Sequence, residues 1–192
     1  MKKNKADGLT VVIRILIALI IMTVAFLAVN IGYELYLRHT HPIEYSDFVE
    51  LAAKEHDLDK FLIYAVIKTE SGFDPDAVSN VGARGLMQIM PDTFNWINDH
   101  RLDEDLTYAA MFNPEDNIRY GAYLISYHMR HYNNVDNSLA AYHAGDGRVD
   151  EWLKSKEYSS DGETLHTIPI KDTSHYVNKV NKAYETYIKL YS

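Results

Sequence analysis

The chain has 192 residues, with 19 Lys+Arg against 27 Asp+Glu and a formal net charge of -8, which suits one domain with or without an appendage. Its 47% hydrophobic and 24% charged residues exclude wholesale disorder, and the absence of cysteine excludes a disulfide framework, a thiolate metal site, a cysteine nucleophile and a lipoprotein cysteine. Lys2, Lys3, Lys5 and Arg14 against Asp7 leave residues 1–32 at +3, so residues 33–192 carry -11; with no basic stripe, nucleic acid is set aside as a partner.

In residues 9–31, 19 of 23 positions are apolar. As a helix this stretch rises roughly 34 Å, enough to cross a hydrocarbon core of about 30 Å. Arg14 sits near its amino end, where a long side chain can snorkel to the headgroups. The lysines lie before the span and His39 and His41 after it. The positive-inside rule then puts residues 1–8 in the cytoplasm and the acidic body outside, as a single-pass protein of the cell membrane. A cleavable signal peptide is the rival reading, but its apolar core is usually shorter and Phe26 breaks any A-x-A site ending at Ala28. Residues 32–45 read as a juxtamembrane linker ending near Pro42, and residues 46–192 as one domain.

Within the body, Ser46 is expected to cap a helix through His56. Asp59 is expected to cap a second, Lys60–Glu70, apolar nearly all round and therefore central. Residues 73–90, with Pro75, Gly82 and Gly85, read as loop or a small β-ribbon. Pro91 opens a short helix containing Trp96, and Asn113-Pro114 launches a long one to Tyr132. Helices over 136–142 and 148–156 follow, then a polar stretch over 157–171 and a last helix with Tyr176, Val177, Val180, Tyr184, Tyr187 and Ile188 at helical spacing. The fold class is mainly α.

Glu70 closes the buried helix. The helix carboxyl end and apolar neighbours both disfavour its carboxylate and raise its pKa. A carboxyl still protonated near neutrality can give a proton to a leaving oxygen, as glycoside cleavage requires; periodicity alone would instead make Glu70 a surface residue at a frayed end. His128 and His131 lie three apart but lack a third ligand or an H-E-x-x-H pattern, and read as a solvated helix face. Asp74, Asp76, Asp103, Glu104 and Asp105 lack EF-hand spacing. Ser71 and Ser79 lie in no hydrolase motif. No metal or other cofactor is expected.

Several separated segments occur in one order: Glu70-Ser71-Gly72-Phe73, Ala77-Val78-Ser79, Gly82-Ala83-Arg84-Gly85-Leu86-Met87-Gln88-Ile89-Met90-Pro91, Asn117-Ile118 with Gly121 and Tyr123-Leu124, Ala140-Ala141-Tyr142-His143-Ala144-Gly145, Gly147-Arg148-Val149 and Tyr176-Val177. The set resembles the soluble lytic transglycosylase (SLT) family over roughly residues 46–190. The resemblance implies a lysozyme-like fold and a peptidoglycan lytic transglycosylase that cuts between N-acetylmuramic acid and N-acetylglucosamine without water, leaving 1,6-anhydro ends. It implies Glu70 as the single acid/base, Ser79 near the reacting sugar, Gln88 and Met90 in the glycan groove with Met87 beside them, Ala141 and Tyr142 as a groove wall, and Tyr176 near the glutamate. In isolation, Met87 and Met90 read as core fillers. His143 stands where the family usually has asparagine, and Asp172-Thr173-Ser174 replaces the usual Glu-Thr-Arg. The partner implied is the peptidoglycan glycan strand. The alternatives are a hydrolytic muramidase and a catalytically silent, membrane-tethered glycan-binding module.

Overall fold

The computed structural model describes residues 3–99 and 105–192, with side chains from Gly8 onward. It divides into two compact units, Met1–Pro42 and Ile43–Ser192.

The first unit is one helix, α1 (Lys3–Thr40). Within its segment Gly8–Thr40 the most apolar stretch reaches a mean hydropathy of 2.9, with none of that stretch buried. A helix apolar on every face suits a hydrocarbon surround. The linker expected over 32–45 is instead helical as far as Thr40. The physical reason is local: Arg38 pairs with Glu34 at 2.9 Å one turn away, Thr40 Oγ1 lies 3.1 Å from the carbonyls of Tyr36 and Leu37, and no proline interrupts before Pro42.

The second unit begins with α2 (Ser46–His56). Ser46 does not cap it. Tyr45 holds the N-cap position in a left-handed conformation, φ 56°, and Ser46 is already helical. Asp59 caps α3 (Lys60–Glu70) as expected, accepting from the Phe61 amide at 2.8 Å. Seven consecutive residues of α3, Phe61 to Ile67, are buried; each large apolar side chain among them contributes roughly 1.5–3 kcal/mol. That burial requires neighbours on all sides, and α8 (Lys171–Tyr191) supplies the largest share. Tyr64 of α3 stacks on Tyr187 of α8 at 5.5 Å, and the Tyr184 hydroxyl donates to Asp59 at 2.7 Å.

Residues 73–90 form a loop with two isolated antiparallel bridges, Val78 to Arg84 and Arg84 to Ile89, and no strand. The helix α4 (Pro91–Ile97) follows. A 3-10 turn over Tyr108–Phe112, which periodicity did not reveal, precedes α5 (Pro114–Tyr132). Asn113 caps α5, accepting from the Glu115 and Asp116 amides at 2.9 and 3.3 Å. α6 (Val135–Ala144) and α7 (Asp146–Lys154) complete the set; both begin earlier than their apolar residues suggested, and α7 ends two residues sooner. α5 packs on α2 and α6, and α6 packs on α7 and α8, so the carboxyl end of α3, the loop 73–90 and the helices α6 and α8 converge.

Candidate active site

α3 ends at Ser71, which ties the helix end to the loop. Its Oγ lies 2.8 Å from the Leu86 carbonyl and 3.2 Å from that of Ile67, and accepts from the Phe73 amide at 3.1 Å. Gly72 and Phe73 both take positive φ, 63° and 73°, so the chain reverses at once. Phe73 is offset for that conformation by burial against Tyr64, 6.4 Å away. Glu70 is therefore left at the last helical position, beside the loop rather than in line with it.

Desolvation raises the Glu70 carboxyl from 4.5 to about 7, partly offset by the Tyr176 hydroxyl acting as a donor. The Tyr176 hydroxyl is buried and makes no hydrogen bond of good geometry, so its influence on Glu70 is that of a near, imperfectly aligned donor. Tyr142 lies parallel to Tyr176, with centroids 6.5 Å apart and planes 3° apart. Its hydroxyl donates to the Met87 carbonyl at 2.6 Å. Both tyrosines are held well above their ordinary pKa, first by burial and then by the Glu70 charge, so both stay protonated donors beside the carboxyl.

His143 is exposed at one edge while its ring rests on Tyr176 at 4.6 Å. Its Nδ1 lies 3.1 Å from Oγ1 of the buried Thr173. Loss of solvent on the Tyr176 side lowers its pKa, against a smaller opposing pull from Asp172. Glu70, Tyr142, His143 and Tyr176 thus form one cluster drawn from α3, α6 and α8.

Ser79, Met87, Gln88 and Met90 come from the adjoining loop. Ser79 Oγ accepts from the Ala83 amide at 3.0 Å, which leaves its hydroxyl proton available. Gln88 adopts φ 50°, and its side-chain Nε2 donates to the Ala77 and Gly85 carbonyls at 3.1 and 2.9 Å. Met90 is 36% exposed and stands on the wall of a cleft of about 700 Å³ together with Tyr142 and His143. Met87 and Ala141 are 0% and 1% exposed; Ala141 lies on the wall of the same cleft, whereas Met87 backs it. Met87 is a core residue packed into the space over Gly121, where a Cβ would come within 2.3 Å of its Sδ.

Asn117 organises this loop, a role that its place in a short sequence run did not disclose. Fully buried, it accepts from the Met87 amide at 2.7 Å and donates to the carbonyls of Arg84 and Met111 at 2.9 and 2.8 Å. Gly85 lets it approach: φ is +76°, and a Cβ there would stand 2.1 Å from the Met111 carbonyl oxygen. Tyr108 closes the other side, its hydroxyl 2.6 Å from the Gly82 carbonyl and 2.8 Å from that of Ile89. The Arg84 guanidinium lies over the Tyr108 ring at 4.2 Å.

The histidine pair on α5 does not share a solvated face. His131 is exposed and lies 3.3 Å from Asp150, whereas His128 is 4% exposed and lowered by burial to about 4. His128 follows Ile118, Gly121 and Ile125 on the buried stripe, a periodicity that would have signalled its burial. Among the described residues, no group of three His, Asp or Glu is arranged around a common metal position; Asp103 and Glu104 lie outside the described residues.

The sequence profile of the Transglycosylase SLT domain matches residues 47–164. The chain is similar to the soluble lytic murein transglycosylase of Salmonella typhimurium, 31% identical over 157 residues that cover 80% of this chain and 24% of that one. It is also similar to the membrane-bound lytic murein transglycosylase C of Serratia proteamaculans, 29% identical over 173 residues, covering 75% and 46%. Among solved structures, an inactive mutant of the lytic transglycosylase Slt from Pseudomonas aeruginosa superposes with a TM-score of 0.70 at 32% identity, covering 80% of this chain and 25% of that one. The chain thus spans between about a quarter and a half of the length of these curated relatives. The profile match, the helical lysozyme-like architecture and the convergence of the ordered segments on one site agree, and the chain belongs to the SLT transglycosylase-domain family.

Proposed function

We propose that the protein is a membrane-anchored peptidoglycan lytic transglycosylase in which Glu70 acts alone as acid and then base. The observation that carries this reading is the desolvated Glu70 carboxyl, raised to about 7 with a tyrosine hydroxyl against it and, among the described residues, no carboxylate contributing to its shift. Near neutral pH such a group is present in both forms, which suits a residue that must first give a proton and then take one. Glu70 protonates the glycosidic oxygen between N-acetylmuramic acid and N-acetylglucosamine, and the C1–O bond breaks. The acetamide of the muramoyl residue stabilises the developing cation, a substrate-assisted route that needs no second protein carboxylate. Ionised Glu70 then takes the proton of the muramoyl C6 hydroxyl, whose oxygen bonds to C1 and closes the 1,6-anhydro ring.

Tyr176 and Tyr142, held protonated, bound the reacting position and keep water scarce around Glu70. Ser79 offers its free hydroxyl proton to the sugar, Gln88 shapes the loop that carries it, and Met90 offers apolar surface in the groove. Met87 acts from behind the wall, Ala141 forms part of it, and His143 packs on the Tyr176 ring while its Nδ1 meets Thr173.

Digestion of purified sacculi with the full chain in detergent, followed by mass spectrometry, tests the reading. Anhydro ends, one water lighter than reducing ends, are expected. Reducing ends would make it a muramidase, and no product of either kind would make it a binding module. Residues 9–31 are assigned as an uncleaved anchor with the domain on the wall side, so the protein should leave membranes only with detergent and keep its amino terminus; a soluble mature form beginning near Phe26 would refute this.

A further inference from the structure

Thr173 lies in the first turn of α8 and is 1% exposed. Among the described residues its hydroxyl has one hydrogen-bond partner, Nδ1 of His143 at 3.1 Å. A hydroxyl proton enclosed in this way is satisfied only if Nδ1 accepts it; with Nδ1 protonated, the hydroxyl proton would be left buried and unpaired. Neutral His143 is therefore the Nε2–H tautomer. The amino end of α8 carries partial positive charge and favours the neutral ring as well. The charged and titratable groups on its cleft and on α8 are Asp92, His128, Asp146, Arg148, Asp172 and Tyr176; of these only Asp172 contributes to its shift, against the larger effect of burial.

Little else holds this ring. His143 is exposed, and among the described residues its one aromatic contact is Tyr176, 4.6 Å away at 32°. The Tyr176 hydroxyl stands beside Glu70, whose other titratable neighbour is Tyr142. A His143 ring swung outward would uncover Tyr176 and let water toward the carboxyl behind it. We propose that Thr173 is a positioning residue for glycan cleavage: its hydroxyl holds the His143 imidazole as the Nε2–H tautomer against the Tyr176 ring and so shields Glu70 from water. The assignment rests on the reading of Glu70 as the acid, and Thr173 acts on Glu70 through His143 and Tyr176. Without that hold the Glu70 carboxylate is better hydrated, its pKa moves back toward the ordinary carboxyl range, and the acid form is lost at a lower pH.

Thr173→Val exchanges the hydroxyl for a methyl group of similar size. Release of anhydro products by the full chain in detergent is followed against pH for wild type, Thr173→Val, Thr173→Ser, His143→Ala and the Thr173→Val/His143→Ala pair. In Thr173→Val the alkaline limb of kcat/KM should move down by roughly one pH unit, about a tenfold loss near pH 8 that closes toward pH 5. Thr173→Ser should restore the limb, and Thr173→Val should add nothing to His143→Ala. A loss by the same factor at every pH, a serine variant as impaired as the valine one, or an undiminished valine effect without His143 overturns the proposal. The imidazole nitrogen NMR spectrum of the wild type needs no folded variant of Thr173: the His143 signals, identified by their absence from His143→Asn, should show an unprotonated Nδ1 at neutral pH, and a protonated Nδ1 overturns the proposal. Anhydro release with an unshifted limb in Thr173→Val rejects the positioning role alone, whereas a wild type that yields no anhydro ends rejects both readings.

Discussion

Replacing Glu70 by glutamine separates its effect on catalysis from its effect on stability. The folded protein raises the carboxyl from 4.5 to about 7, so between those values the unfolded chain has released a proton that the folded chain still holds. Stability therefore falls as pH rises through this window, is unaffected by the group below about pH 4.5, and carries the full penalty above about pH 7. A shift of this size corresponds to roughly 3 kcal/mol, an upper bound because the residue is not fully enclosed. Glutamine cannot ionise, so Glu70→Gln should unfold at the same temperature as wild type near pH 4.5 and up to about 6–12 °C higher near pH 8, at the scale of a domain of this size. Near-UV circular dichroism of the full chain in detergent reads this, since only Phe26, Tyr33 and Tyr36 of the Phe, Trp and Tyr residues lie in α1. In parallel, release of anhydro products from sacculi should fall by at least about 10²–10⁴-fold, while Asp74→Asn and Asp76→Asn retain most activity. Wild-type kcat/KM should fall above pH 7, as the acid form is lost. A difference in unfolding temperature that does not change with pH would refute the desolvation argument. Near-normal turnover in Glu70→Gln, or an equal loss in either aspartate variant, would refute the single-glutamate mechanism.

Asn117→Ala leaves the Met87 amide and the Arg84 and Met111 carbonyls without this partner; at about 1–3 kcal/mol for a buried unsatisfied group, a loss on the order of 3 kcal/mol is expected in a urea titration, with glycan cleavage falling as the loop loosens. Gly85→Ala should cost at least about 1–3 kcal/mol from its positive φ alone, and more from the contact with Met111, so a thermal midpoint equal to wild type would contradict the geometry. His143→Asn should retain cleavage and lose any rate dependence on acid pH. Since burial lowers the histidine pKa, that dependence belongs below about 6.5, where the ring gains its charge. Loss of activity at every pH would instead give His143 a direct role.

Much of the helical scaffold was legible in the sequence because its signals act between neighbours in the chain. Asp59 reaches an amide two residues on, Asn113 with Pro114 does the same at α5, and the apolar run of α3 predicts a helix enclosed on every side. The ordered segments around Glu70, Gln88 and Tyr142 marked the family and the candidate acid for the same reason: their residue types lie close together in sequence. Tertiary structure decided what depends on distant chain. Tyr176 acts on Glu70 from α8; the Asn117 amide pins a loop thirty residues upstream; and packing on α5 turned His128 inward and enclosed Met87. A residue's type and spacing state which hydrogen bonds and burial it can have. Its solvation, and with it the pKa of Glu70, is set by whatever the rest of the chain brings against it.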